Sequence, residues 1–186
     1  VDAVGRVVSL RGRGHRWVVD ADITDFFGSI PHPPLLARLF DWTDDRRLVD
    51  LVHLWLSAAA DDAGAPGRGL PLGLPVCPIL SNVYLDALDR ALEDLGWPIV
   101  RYADDFCIFD RHAPGAERAL AHARDALTDL DLALNPAKTA VTTFADGFVF
   151  LGIAFDLHGQ RVQVEDRWQP LALDDPRWRG YVPPGY

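Results

Sequence analysis

The fold is decided by residues 99–109, which read IVRYADDFCIF. Two short runs rich in apolar, β-branched and aromatic residues flank one adjacent pair of acids, and short runs of this composition favour β-strands. The acids, Asp104 and Asp105, stand where the two runs meet. This arrangement predicts a β-hairpin hinged at Asp104-Asp105.

A second strand is predicted much earlier in the chain, at residues 17–23, which read WVVDADI and include Asp22. Apolar residues at helical spacing predict two helices over 35–60, with Thr43 as a candidate N-cap of the second. Proline and glycine bound a further helix over 78–95. The remaining elements are a helix over 117–132 and short strands at 141–144, 148–155 and 162–164.

Without the helical insertion over 35–60, the order is strand, helix, hairpin, helix, strand. This order is the split β-α-β-β-α-β arrangement of the α+β class, an antiparallel sheet with helices packed on one face. The first strand and the central hairpin are neighbours in that topology. We therefore expect Asp22 to meet Asp104 and Asp105.

Three carboxylates at one place indicate a divalent cation, because ionised acids that lie close together repel one another. Mg²⁺ prefers hard oxygen ligands such as carboxylates and substrate phosphates. Two such ions can activate an attacking hydroxyl and stabilise a leaving oxygen. Mn²⁺ is an alternative metal. A solvated acidic turn is the other interpretation of Asp104-Asp105 taken alone.

Five segments in the same order resemble the motifs of bacterial reverse transcriptases of the group II intron-encoded, retron and CRISPR-associated type. Residues 19–32 resemble motif A, residues 69–82 motif B and residues 100–105 motif C. Residues 134–139 are similar to motif D and residues 150–152 to motif E. The resemblance implies a polymerase palm over 17–165 and an RNA-directed DNA polymerase that adds dNTPs to a primer 3′ hydroxyl.

The resemblance also implies roles for single residues. Asp22, Asp104 and Asp105 would hold two Mg²⁺ ions, with the Ile23 carbonyl as an added ligand. Lys138 would contact phosphate or donate a proton, although an exposed lysine is often only a solvated charge. The residues implied to contact substrate are Asp25, Phe27, Leu72, Gly73 and Tyr102, and the implied primer grip is Phe150, Leu151 and Gly152.

Several of these substrate residues keep a second interpretation. Phe27 is implied to be a steric gate that excludes a 2′-hydroxyl, but a core aromatic beside Phe26 fits the same pattern. Asp25 could be a solvated or capping acid, and Tyr102 could pack rather than touch the primer. Leu72 stands where many relatives carry glutamine. The histidines, His32 among them, lack metal-ligand spacing and are interpreted as structural or surface residues.

The formal net charge of −9 argues against strong independent binding to nucleic acid. We interpret 1–16 as the end of a basic fingers-type segment and 166–186 as a proline-rich linker or tail. The chain is therefore expected to be a fragment or module, and to extend primers poorly alone. A fused or separate CRISPR adaptation integrase is one candidate partner, beside an RNA template and a DNA or RNA primer.

Composition also indicates the state of the cysteines and the cellular location of the protein. Cys77 and Cys107 are expected to be buried free thiols. Without a secretory signal or a long apolar run, a cytoplasmic protein without membrane contact is expected. Two other functions stay open: another palm-fold nucleotidyltransferase or cyclase, and a non-catalytic RNA-binding or scaffolding remnant of a reverse transcriptase.

Overall fold

The computed structural model describes residues 3–59, 67–71, 73–164 and 167–172. The chain divides into two compact units. The first unit comprises Val1–Asp22, Leu95–Ala121 and Asn135–Tyr186, and the second comprises Ile23–Asp94 and His122–Leu134.

The first unit contains the predicted antiparallel sheet. Its strands are β1 (Trp17–Asp22), β2 (Ile99–Tyr102), β3 (Asp105–Asp110) and β4 (Ala140–Thr143), in the spatial order β2-β3-β1-β4. Every neighbouring pair is antiparallel, and β1 lies directly beside the β2–β3 hairpin. The split β-α-β-β-α-β prediction is confirmed by this order.

One face of this sheet packs into an aromatic core. Side chains alternate between the two faces of a strand, so Val18, Cys107 and Phe109 share one face. All three are buried together with Phe144, Phe150 and other apolar residues that follow β4. Helix α1 (Ala3–Gly12) adds Val4, Val7 and Leu10 to the same cluster.

A second antiparallel sheet follows β4. Its strands are β5 (Phe148–Phe150), β6 (Ile153–Phe155), β7 (Gln160–Val164) and β8 (Arg167–Pro170), in sequence order. The single strand predicted over 148–155 was wrong, because a two-residue turn at Leu151-Gly152 divides it. The predicted tail was wrong at its start, since Arg167–Pro170 pairs with β7. Residues 173–186 lie outside the described part of the chain.

Arg11 fastens α1 to the second sheet within the first unit. Its Nη1 donates to the carbonyl oxygens of Asp156 and Gly159, each at 2.8 Å. The guanidinium also lies 5.9 Å from the centre of the Phe144 ring, within reach of a cation–π contact. This arginine, from the basic segment before β1, therefore has a structural role.

The second unit contains the helical insertion. Its helices are α2 (Phe26–Ser29), α3 (His32–Thr43), α4 (Arg46–Ala59) and α5 (Cys77–Glu93). Thr43 does not cap α4, because it is the last residue of α3 and its hydroxyl donates to the Leu39 carbonyl. The Asp45 carboxylate accepts from the N–H groups at the start of α4 and is the cap.

Helix α6 (Ala113–Asp129) passes from the first unit into the second. It is longer at its start than the predicted helix over 117–132 and ends before Leu130. The buried Tyr84 hydroxyl of α5 donates to the Leu130 carbonyl at 2.7 Å. Both cysteines are buried and free, as predicted. Across the described part of the chain, every helix is too short or too polar to span a lipid bilayer.

Candidate active site

The register of the first sheet brings two predicted acids together. Asp22, the last residue of β1, is the direct partner of Asp105, the first residue of β3. Directly opposed residues project from the same face of a sheet. Asp104 precedes Asp105 in the β2–β3 turn, whose other residue, Ala103, has a φ of 53°. The face shared by Asp22 and Asp105, which we call the acidic face, is therefore the centre of the candidate site.

A further acid on this face, Asp20, was missed as a functional candidate. It lies two residues before Asp22 and therefore points the same way. Its cross-strand partner is Cys107, whose Sγ lies 4.0 Å from Asp20 Oδ1. Burial first, and then the Asp22 charge, raise the pKa of Asp20 to about 6. The spacing Asp-Ala-Asp at the end of β1 was the available signal.

Burial and mutual repulsion also act on the hairpin acids. Burial, followed by the Asp20 charge, raises the pKa of Asp105 to about 7, although the Leu151 N–H donates a hydrogen bond that opposes the rise. Burial is likewise the main cause that raises the pKa of Asp104, and the Asp22 charge adds to it. Carboxyl groups with raised pKa values are poorly neutralised by their surroundings, which favours a cation beside them.

Asp22 already has two partners from the segment before β4. Lys138 Nζ lies 2.9 Å from Asp22 Oδ2, and Asn135 Nδ2 donates to Asp22 Oδ1 at 3.3 Å. The Asn135 backbone N–H also donates to the Asp22 carbonyl at 2.8 Å. The hydrogen bond with Asp22 raises the pKa of Lys138. The structure thus places the predicted lysine at the acid that ends β1.

The acids suit Mg²⁺ in chemical type, since all are hard oxygen donors and Asp22 shares its face with Asp105. In residues 3–59, 67–71, 73–164 and 167–172, however, no three His, Cys, Asp or Glu side chains are grouped so that they could hold a metal ion. Lys138 neutralises Asp22 in this arrangement. The predicted pair of Mg²⁺ ions stays a prediction, and so does the Ile23 ligand, whose residue forms an isolated bridge with Leu134.

The predicted primer grip forms the turn between β5 and β6. Leu151 and Gly152 both have positive φ values, 53° and 71°, as in a two-residue hairpin turn of type I′. Phe150 and Leu151 are buried. The Leu151 N–H donates to Asp105, so this turn lies against the acidic face within the same unit. Tyr102, the other direct partner of Asp105, is exposed at 44%.

The second unit holds Asp25 and Phe27. Asp25 precedes α2 with a φ of 42°. This left-handed conformation is costly for residues other than glycine. A Cβ at residue 28 would lie 2.6 Å from the Asp25 carboxylate, so a larger residue there would have to displace the Asp25 side chain. Phe26 is buried, whereas Phe27 is half-buried and contacts the Phe26 ring. Phe27 is therefore not a fully enclosed core residue.

The glycine segment, residues 67–71, lies against the backbone around α2 within the second unit. The Gly69 N–H donates to the Ile30 carbonyl at 2.9 Å, and the Leu70 N–H donates to the Phe27 carbonyl at 2.7 Å. Gly73 is exposed with a φ of 92°. Leu72 lies outside the described residues. The roles predicted for Gly73 and Leu72 stay predictions.

The sheet order and the acids at the β1 end and the hairpin define a polymerase-type palm, and solved structures support this fold. An apo telomerase from Candida tropicalis, truncated from its C-terminal domain, aligns over 86% of this chain and 39% of its own, with a TM-score of 0.65 and 11% identity. A telomerase from Candida albicans, in complex with a fragment of telomeric RNA, aligns over 94% of this chain and 35% of its own, with a TM-score of 0.69 and 10% identity.

The sequence matches the family model described as reverse transcriptase (RNA-dependent DNA polymerase) over residues 6–155. The chain therefore belongs to the reverse transcriptase family. Protein YkfC of Escherichia coli is 27% identical over 74% of this chain and 46% of its own length. An uncharacterised 91 kDa protein in a cob intron of Schizosaccharomyces pombe is 36% identical over 45% of this chain and 11% of its own length. The chain thus spans less than half the length of these relatives.

Proposed function

We propose that this chain is the catalytic palm of an RNA-directed DNA polymerase, which transfers nucleotides from dNTPs to a primer 3′ hydroxyl on an RNA template. The observation that carries the proposal is the direct pairing of Asp22 with Asp105 on one face of the first sheet. Membership of the reverse transcriptase family supports the same reaction.

The acidic face would serve this reaction by holding the cations that neutralise the charge of the bound triphosphate. Asp22, Asp104 and Asp105 would hold Mg²⁺, which when bound supplies charge neutralisation for phosphoryl transfer. Lys138 lies beside Asp22 at 2.9 Å, so its ammonium group is within reach of a phosphate bound next to that acid. A lysine placed there can bind the phosphate or donate a proton to it.

The lineage within the family is proposed from the relatives. Two of them are proteins of introns: the cob intron protein of Schizosaccharomyces pombe and a putative COX1/OXI3 intron 1 protein of Saccharomyces cerevisiae, which is 33% identical over 44% of this chain. These similarities favour an intron-encoded type of reverse transcriptase. Association with a CRISPR adaptation integrase stays an untested prediction.

Calorimetry on the chain itself tests the acidic face. We expect Mg²⁺ with dNTP to bind the parent chain and to bind the Asp104→Asn variant at least about tenfold more weakly, because one carboxylate ligand loses its charge. Asp86→Asn is the matched control, since Asp86 is exposed and pairs only with Arg90 on the surface of α5 among the contacts described. Equal binding by parent and Asp104→Asn would indicate a non-catalytic remnant.

Primer extension tests the reaction. The complete gene product is supplied with an RNA template, a DNA primer, dNTPs and Mg²⁺, and Asp22→Asn and Asp86→Asn are compared with the parent. We expect extension by the parent and the Asp86 variant, and loss of extension by the Asp22 variant. No extension by the parent on any template would refute the proposal, and extension only with ribonucleotides would indicate another polymerase.

A further inference from the structure

His32 is a buried histidine that holds the glycine segment. It is the first residue of α3 and only 5% exposed, which agrees with the structural alternative given for it and not with the surface one. Its Nε2 lies 2.7 Å from the Gly69 carbonyl oxygen, and its backbone N–H donates to the Gly67 carbonyl at 2.9 Å. Because a carbonyl oxygen only accepts, Nε2 must carry the proton in this hydrogen bond.

The residues that His32 holds are themselves bonded to the backbone beside Phe27. Gly69 donates to the Ile30 carbonyl, and Leu70 donates to the Phe27 carbonyl. Gly69 has a φ of 89°, and a Cβ there would approach the Gly28 carbonyl to 3.3 Å. A side chain at residue 69 would therefore strain the backbone and would require the two backbones to separate by a few tenths of an ångström. A shift of the Gly69 carbonyl would consequently displace the bond to Phe27.

Arg68, next to Gly69, makes further side-chain contacts within the second unit. Its Nη1 donates to the Ser29 carbonyl at 3.0 Å, and its other nitrogen forms an ion pair with Asp131. The Arg68 and Asp131 side chains are 35% and 68% exposed, and exposed ion pairs contribute little. The His32 side chain is buried, and its removal takes a donor from the Gly69 carbonyl, so its hydrogen bond is more consequential than the exposed ion pair.

We propose that His32 is a positioning residue, which fixes Gly69 and Leu70 against the Phe27 backbone and thereby sets how strictly the site selects the nucleotide sugar. The nucleotide part of this inference rests on the proposed polymerase function and on the contact with the nucleotide sugar that the resemblance implies for Phe27. The positioning part stands on the hydrogen bonds of the second unit alone. His32 does not touch substrate and acts only through the backbone that carries Phe27.

Trypsin tests the positioning part, because the Arg68–Gly69 peptide bond lies between the residues that His32 holds. In His32→Leu, which removes the donor, we expect cleavage after Arg68 to rise about tenfold, the factor that corresponds to one lost hydrogen bond. In His32→Gln, whose amide can donate at a similar reach, cleavage should return to within about threefold of the parent. His53→Leu is the matched control, since His53 is an exposed histidine of the same unit.

Nucleotide kinetics on the complete gene product test the second part. We expect His32→Leu to raise the KM for dNTP by about tenfold with a smaller change in kcat, to weaken discrimination against ribonucleotides, and to be rescued by His32→Gln. Equal acceleration of cleavage at every site, with no rescue by Gln, would mean a general loss of stability and would overturn the proposal. Unchanged discrimination in an active His32→Leu enzyme with selective cleavage would also overturn it.

The two proposals fail in different ways. If cleavage after Arg68 rises selectively and is rescued by Gln while the parent extends no primer, the positioning by His32 is supported and the polymerase function is refuted. If the parent extends primers and cleavage after Arg68 does not change in His32→Leu, the polymerase function is supported and the role of His32 is refuted.

Discussion

Replacing Asp105 with asparagine should stabilise the metal-free protein at neutral and alkaline pH. The Asp105 carboxyl is buried beside Asp20, Asp22 and Asp104, and burial raises its pKa from 3.8 to about 7. The ionised form is therefore unfavourable in the folded chain. Asparagine has nearly the same shape, carries no charge and keeps an oxygen that can accept from the Leu151 N–H.

The sign and size follow from proton linkage. Below about pH 4 the carboxyl is protonated in both the folded and the unfolded chain and costs nothing. As the pH rises from about 4 to 7, only the unfolded chain releases this proton, so the free energy of unfolding falls. A rise of about three pKa units corresponds to about 4 kcal/mol. Because neighbouring acids share this repulsion, we expect Asp105→Asn to recover about 2 kcal/mol at pH 8.

Urea unfolding in EDTA at pH 4 and pH 8 measures this effect. The variant should be more stable than the parent at pH 8, and the difference should shrink towards zero at pH 4. Asp86→Asn, at an exposed surface acid, should follow the parent at both values. An Asp105→Asn variant that is equally or less stable than the parent at pH 8 would refute the account of the acidic face.

Three further changes have defined outcomes. Ala103→Gly should raise the free energy of unfolding by about 0.5 kcal/mol in urea titrations, because φ is 53° there and glycine adopts this conformation without strain. Tyr84→Phe should lower it by about 1–2 kcal/mol, since the buried Leu130 carbonyl loses its donor; an unchanged value would show that another donor replaces it. Lys138→Met should strengthen Mg²⁺ binding about threefold by calorimetry, because the lysine no longer competes for Asp22; weaker binding would contradict this.

The sheet was predictable because its signals are local. Short runs rich in apolar, β-branched and aromatic residues in 17–23 and 99–109 indicate strands. The paired acids indicate the turn to within one residue, since the structure places it at Ala103-Asp104 and Asp105 begins β3. The approach of Asp22 to Asp104 and Asp105 followed from the predicted topology, in which the first strand lies beside the hairpin. The two-residue spacing places Asp20 on the same face as Asp22, but only the pairing with Cys107 shows its surroundings, which raise its pKa.

The elements that were missed depend on tertiary contacts. The apolar pattern alone predicted one strand over 148–155, although the resemblance implied a turn at Phe150-Leu151-Gly152. Leu151 adopts a positive φ that leucine does not favour, so the pattern did not show where the strand divides. The cap of α4 lies at Asp45 rather than Thr43, two residues further on, because Thr43 bonds back into α3. The contact of Lys138 with Asp22 depends on the conformation of the segment after α6, which spacing alone does not give.

The strand β1 has a consequence for how genes of this kind can change in length. Its acids, Asp20 and Asp22, occupy alternate positions. Val19 before them and Ala21 between them project from the opposite face and are buried. Suppose that one codon is added or deleted ahead of Asp20 while the pairing with β3 is kept upstream. Apolar side chains would then project from the face of Asp105, and the carboxylates of Asp20 and Asp22 would project from the opposite, buried face. A length change of one residue within this strand should therefore abolish the acidic face.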